Sequence, residues 1–290
     1  IRHKKQERSF WNKLVASEFI NNYTKKPMPI FASLVIALML GGGVSFAAEG
    51  SLPGDALYPV KVNVNEEVRG AFTIGDKAKA EWETKLAMRR LEEAEQLTVS
   101  GKMTADIQLK IEENFEEHSE RVNERIARFQ SETNVTAAAD VTSRFETSLR
   151  VHEQILRKLG DGANTEVRSY VRPVEAKVKA RLEGTASKRS ELDDAITAKN
   201  GSADVQAEIK TAAIAKINSA ENVIDSLDNF IGSIKDKIGV EATAEAEVRV
   251  KDARGLIAKA KTKVETKFYG EAFNLAQQAI RVAQEAHLLI

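Results

Sequence analysis

Two histidines carry most of the chemistry this chain could perform. His118 and His152 stand near Glu116, Glu117 and Glu153, in stretches whose apolar spacing reads as helix. Two imidazoles meeting across a helical pair, with a carboxylate in reach, could hold a divalent cation. Protonated together, they would repel each other and act as a pH switch. The plainer alternative is a polar layer that sets the register of two packed helices. Nothing else announces a reaction. The sequence contains no G-x-x-x-x-G-K-[ST], G-x-S-x-G or H-E-x-x-H motif and no dinucleotide glycine fingerprint behind a strand. Cysteine is absent, which excludes disulfide scaffolds, thiolate metal sites and cysteine nucleophiles. The expectation is a protein that is not an enzyme and carries no cofactor, with His118 and His152 as its candidate metal ligands.

A run of acids, Glu112, Glu113, Glu116, Glu117, Glu120 and Glu124, could form a weak cation-binding strip. Arg121, Arg125 and Arg128 follow at spacings that favour ion pairs along one helix, so a solvated, salt-bridged face is the better reading.

The elements that place the histidines are legible as stripes. Met103, Ile107, Ile111, Phe115, His118, Val122, Ile126 and Phe129 advance close to the helical period, as do Val141, Phe145, Leu149, His152, Leu156 and Leu159. Thr133-Asn134-Val135-Thr136 is the turn between them. An antiparallel hairpin about that turn pairs residues whose numbers sum to about 270, and it brings His118 against His152. Gly160-Asp161-Gly162 closes this unit. A second hairpin is expected beyond it: Val167, Val171, Val174, Val178, Leu182, Leu192 and Ile196 outward, a turn at Asn200-Gly201-Ser202, and a return stripe from Val205 to Ile238 with nearly coiled-coil spacing. That stripe could be satisfied within the chain or by a second copy. Pro173 predicts a kink or a helix start. The last pair runs from Glu241 to about Lys267 and from Glu271 to Leu289, joined at Phe268-Tyr269-Gly270. The placement of Tyr269, Gly270, Ala272 and Ala276 resembles a tetratricopeptide-like helix pair, but only one such unit is visible.

Composition agrees with long helices. Aromatics make up 6%, charged residues 30%, and all five prolines precede Val174. The fold class expected is all-α, an elongated set of antiparallel helical hairpins after one N-terminal transmembrane helix. Charge is divided unevenly. Residues 1–48 hold seven Lys/Arg against two Asp/Glu, and the remainder holds 36 against 41. A basic segment beside a larger acidic part suits an anionic inner leaflet and gives no support to nucleic-acid binding.

Residues 1–28 carry Arg2, Lys4, Lys5, Arg8, Lys13, Lys25 and Lys26, with Phe10, Trp11, Leu14, Val15 and Phe19 at helical spacing. They read as a cytoplasmic juxtamembrane helix or a disordered tail. Residues 29–48 are uncharged and mostly apolar, and as a helix they reach about 30 Å, enough to span a bilayer. Lys25 and Lys26 before the run place the N-terminus inside. The rival reading is a signal peptide cleaved after Ala47, which would leave a secreted chain; the long segment ahead of the run favours a retained anchor. Either way residues 49–290 lie across the membrane.

Directly after this run stands SLPGDALYPVK, residues Ser51 to Lys61. Pro53-Gly54 signals a type II turn, and Pro53, Gly54, Asp55, Tyr58 and Pro59 are its candidate structural residues. A break at Gly75-Asp76 then begins a helix from Lys77 to about Val99. The SLPGDALYPVK motif, Glu66-Glu67-Val68-Arg69, Lys77-Ala78 and Arg89-Arg90-Leu91-Glu92-Glu93-Ala94-Glu95 together resemble the bacterial family catalogued as domain of unknown function 5667, over roughly Ser51 to Leu159. The resemblance implies a helical domain following a single membrane span, in some members behind a cytoplasmic anti-sigma-factor domain. It implies no activity. The expected domains are thus 1–28, 29–48, 49–160 and 161–290. Three functions fit: an envelope interaction or scaffold module with protein partners, a regulator of anti-sigma-factor type signalling through the membrane helix, and an extracytoplasmic metal or stress-ligand binder using His118 and His152. An oligomer is possible in each.

Overall fold

The computed structural model describes residues 44–198 and 203–289. The expectations for residues 1–43 and for the turn at Asn200-Gly201-Ser202 lie outside it. Every described element is helical. No helix among the described residues is long and apolar enough to cross a membrane, and most of the 29–48 run falls outside them. The chain forms two compact units, Ile1–Val68 and Arg69–Ile290.

In the first unit the chain is helical over 44–49, turns, and continues through Tyr58–Val60, a π-helical stretch Lys61–Glu66 and a short helix Glu67–Ala71 that runs past the boundary. The turn is the one the sequence predicts. The Asp55 N–H donates to Leu52 O at 2.9 Å, and Gly54 takes φ +101°. Only glycine adopts that conformation without strain. Its neighbours close the motif on itself. Leu52 N–H donates to the Asp55 carboxylate at 2.8 Å, and Ser51 Oγ donates to Ala48 O at 2.6 Å. Lys61 Nζ donates to Ser51 O at 3.0 Å and lies 5.8 Å from the centre of the buried Tyr58 ring. Pro59 occupies the first helical turn, where its missing N–H costs nothing.

Seven long helices follow among the described residues of the second unit: α1 Asp76–Val99, α2 Ala105–Ser131, α3 Val135–Gly162, α4 Thr165–Ala198, α5 Ala203–Ile238, α6 Val240–Glu265 and α7 Tyr269–Leu289. Their ends have local causes. Gly75 at φ +91° ends the preceding turn and Asp76 opens α1. Thr104 and Asn134 cap α2 and α3 by accepting from Ile107 N–H and Ala137 N–H. Asn164 accepts from Val167 N–H at the start of α4, while Arg168 donates back to the carbonyls of Gly160, Asp161 and Ala163.

The stripes are buried as expected. Ile111, Phe115, Val122, Ile126 and Phe129 of α2 and Val141, Phe145, Leu149 and Leu156 of α3 all enter the core. Each such side chain contributes about 1.5 to 3 kcal/mol of burial. Their partners differ from the expectation. The neighbour of α2 is chiefly α1, and that of α3 is chiefly α4. The α2/α3 hairpin is therefore not the organising pair. Nor does α4 return along α5: α5 packs on α7 and α6, and the stripe of Ile217, Ala220, Ile224, Leu227 and Ile231 is satisfied within the chain. Because α3 and α4 pack closely, Gly160-Asp161-Gly162 separates two helices and not two compact units. Helix α4 runs through Pro173 without a new start. One lost hydrogen bond is tolerated there because Val167, Val171, Val174 and Val178 are buried around it.

Candidate functional site

Helix α1 is the spine on which the candidate residues are arranged. His118 of α2 places Nδ1 2.9 Å from the Glu83 carboxylate of α1, which also faces Arg121 at 3.7 Å. His152 of α3 places Nδ1 2.7 Å from Glu95 of the same helix. Glu83 and Glu95 are twelve residues apart, so their positions differ by about 18 Å along the axis. The two histidines do not form one layer. Each is a buried ring paired to its own carboxylate, and the face-to-face pair expected from the α2/α3 hairpin fails because both helices turn toward α1. No group of three or more His, Asp or Glu suited to a metal ion occurs among the described residues. Four of the six acids of the strip, Glu112, Glu116, Glu117 and Glu120, meet a cation, though not only along their own helix. Arg121 pairs with Glu117 as expected, whereas Arg181 of α4 meets Glu116 at 2.7 Å and Glu120 at 3.2 Å. Arg125 and Arg128 turn instead to Asp76 at the start of α1.

Sequence reading missed two charge clusters centred on α3. In the first, Asp140 is buried and takes Lys216 of α5 at 2.6 Å, Lys77 of α1 at 2.7 Å and Arg144 at 3.3 Å. Burial opposes ionisation of this carboxyl. The charges of Lys216 and Arg144, with hydrogen bonds from Lys216 and Lys77, outweigh it and hold the group well below the usual carboxylate range. In the second, buried Glu146 pairs with Arg150 and with Arg189 of α4, Arg189 reaches Asp193, and Arg150 reaches Glu285 of α7 at 3.0 Å. Arg281 of α7 adds a hydrogen bond to Ser143 at 2.9 Å. Asp140-Arg144, Glu146-Arg150 and Arg189-Asp193 all have i,i+4 spacing, which in sequence is the mark of a solvated face. Only the burial shows them to be joints between helices.

Beside these joints lies a trough of about 1040 Å³. Its floor is α3 and α7, and its walls are α1, packed on α3, and α5, packed on α7, with little direct packing of one wall on the other. The bottom is apolar, with Met88, Val141, Val223, Leu227 and Ala283. The polar lining is neutral along α5 and α7, with Asn218, Asn222, Ser226 and Gln284, and charged along α1 and α3, with Glu81, Lys85, Glu92 and Arg144. Lining positions on α5 recur from Ala215 to Leu227 and on α1 from Glu81 to Glu92, about three helical turns on each wall. His152 lines one end, and His287 lines the trough while stacking on Phe230 with ring centres 4.7 Å apart. The arrangement offers shape and apolar contact.

Residues 50–166 match the family described as Domain of unknown function (DUF5667). That stretch of the chain is similar to the DUF5667 family. The DUF5667-like domain thus begins at the turn motif, takes in α1, α2 and α3, and ends where α4 starts. It supplies one wall and half the floor of the trough, through α1 and α3; the other wall and the rest of the floor come from helices beyond the match. No curated protein and no solved structure matches the chain.

Proposed function

We propose that this chain is a non-enzymatic, membrane-anchored helical module on the outer side of the membrane, and that its trough binds a helical segment of a partner protein. Placement rests on the 20 uncharged residues of 29–48, on Lys25 and Lys26 before them, and on the excess of positive charge in residues 1–48. The DUF5667-like domain starts directly after that run. The single observation that carries the binding activity is the trough. Its apolar bottom extends for about three helical turns between walls that do not close, which suits a helix presenting aliphatic side chains at i, i+3 or i+4 and i+7. The rim is neutral along α5 and α7, at Asn218, Asn222, Ser226 and Gln284, whereas Glu81, Lys85 and Glu92 of α1 and Arg144 of α3 line the opposite side and suit a helix with both signs of charge on that flank.

Because the chain has no cysteine, single-cysteine labelling tests both parts. With a membrane-impermeant thiol reagent on intact cells, Asp236→Cys should be labelled at once and Arg8→Cys only after permeabilisation. Asn222→Cys should react more slowly in cells than in the purified chain, because a partner occupies the trough. Labelling of Arg8→Cys from outside would overturn the placement, and equal rates for Asn222→Cys in both settings would overturn the occupied trough.

A further inference from the structure

The first unit exposes apolar side chains that nothing in its own fold covers. On the stretch Lys61–Ala71, Lys61 and Glu66 are buried, Asn63 and Glu67 are polar and exposed, and Val64 and Val68 are half exposed, at 50% and 52%. Asn65, between these faces, turns to the preceding helical segment. Its Nδ2 donates to Ser45 O at 2.7 Å, and Ser45 Oγ donates to its Oδ1. The segment so held, 44–49, carries Phe46 at 85% exposure and Val44 at 39%.

The position of Ser45 decides what covers this edge. Ser45 lies in the last turn of the uncharged run 29–48, so the Asn65 bonds hold Val64 and Val68 at helix-packing distance, about 8 to 10 Å, from the end of that run. Resting on the anchor reading above, the run fills the hydrocarbon layer and its final turn emerges among the headgroups. The two headgroup layers together add about 10 to 15 Å to the roughly 30 Å core, about 5 to 8 Å on each side, so a side chain packed beside the exit, its separation running mostly along the membrane surface, remains in the interface. We propose that Val64 and Val68, with Val44 and Phe46, form a lipid-contacting edge that seats the turn motif in the boundary between headgroups and acyl chains. The exposed charges nearest this edge are Glu49, Glu67 and Arg69, and the Arg69 guanidinium lies over the Trp82 ring at 5.2 Å, so the edge has no net positive charge and the contact is apolar insertion and not attraction to anionic lipid. The occupant is the phospholipid surface itself.

The test uses the full chain reconstituted into phosphatidylcholine vesicles, with and without phosphatidylglycerol. An environment-sensitive fluorophore is attached in turn to Val64→Cys, Val68→Cys, Asn63→Cys and Glu67→Cys, all surface positions. Flotation of each sample with the vesicles reads the anchor separately. The expected result is blue-shifted emission and quenching by shallow spin-labelled lipid at 64 and 68, water-like emission at 63 and 67, and the same pattern in both lipid mixtures. Water-like emission at 64 and 68 in chains that float would overturn the lipid edge and leave the anchor standing. Equal shifts at all four positions, or shifts that require phosphatidylglycerol, would also overturn it. Chains that fail to float would overturn the anchor and the edge together.

Discussion

Asp140 of α3 and Lys216 of α5 meet at 2.6 Å although 76 positions separate them in the chain. With Lys77 of α1 on the other carboxylate oxygen, this contact joins three helices that line the trough. It also crosses from the DUF5667-like domain to the helices beyond it.

Asp140→Asn should lower stability near neutral pH by about 3 kcal/mol, because it leaves Lys216 buried without its counter-charge. The pH dependence has a definite sign. The Asp140 carboxyl is held below its ordinary value in the folded chain, so its contribution is complete above about pH 4 and fades as pH falls through the depressed value. Denaturant titrations at a series of acid pH values should show the wild type losing stability more steeply than Asp140→Asn. Parallel profiles would mean that the pair contributes nothing to the acid limb.

Gly270 marks where α7 meets the end of α4. A Cβ there would stand 2.7 Å from Ile196 O and 2.9 Å from Thr197 Cα, both backbone atoms that cannot swing away. Asn274, one turn later, donates to Asp193 O at 2.9 Å and fixes the same junction. Gly270→Ala should cost about 1 to 3 kcal/mol in a chemical denaturation experiment. Gly255, with open space around its Cβ position, is the matched control, and Gly255→Ala should be neutral or slightly stabilising.

At the turn motif the backbone itself limits substitution. Gly54→Val forces a β-branched residue to φ +101° and should destabilise the motif by about 1 to 3 kcal/mol, seen as a lower melting midpoint. An unchanged midpoint would mean that the motif is kept for recognition by a partner and not for its fold.

The two histidines should behave independently. Their rings pair with carboxylates about 18 Å apart on α1, so a double-mutant cycle of His118→Ala and His152→Ala should give a coupling below about 0.5 kcal/mol. Zinc should leave the melting midpoint of the wild type and of both variants unchanged. A zinc-dependent rise that either substitution abolishes would restore the metal site.

Much of the fold was legible because burial follows period: the stripes of α2, α3 and α5, the Pro53-Gly54 turn and the break at Gly75 are all where the residues place them. Pairing was not legible. A stripe records that a face is buried and does not record which neighbour buries it, and α1 was hidden as the neighbour by its own composition. Its buried positions include Glu83, Arg90 and Glu93, which periodicity counts as surface. The same masking applies to α3, where Asp140, Glu146 and Thr147 are buried beside Val141 and Phe145. Once α1 is seen to be central, the separation of His118 from His152 follows. The trough could not be read at all, since it depends on α1 and α5 packing on different neighbours and little on each other.

The binding activity proposed for the trough is tested most directly by cross-linking from within it. A photoreactive amino acid at Asn222, inside the trough, is compared in living cells with one at Asp236, which lies outside it. The comparison is repeated with Ser219→Trp, a substitution that fills the space between the walls. The account predicts one discrete protein adduct from Asn222, its loss in the Ser219→Trp chain at unchanged melting midpoint, and no such adduct from Asp236. An adduct that survives the tryptophan, or no adduct from Asn222, would contradict it.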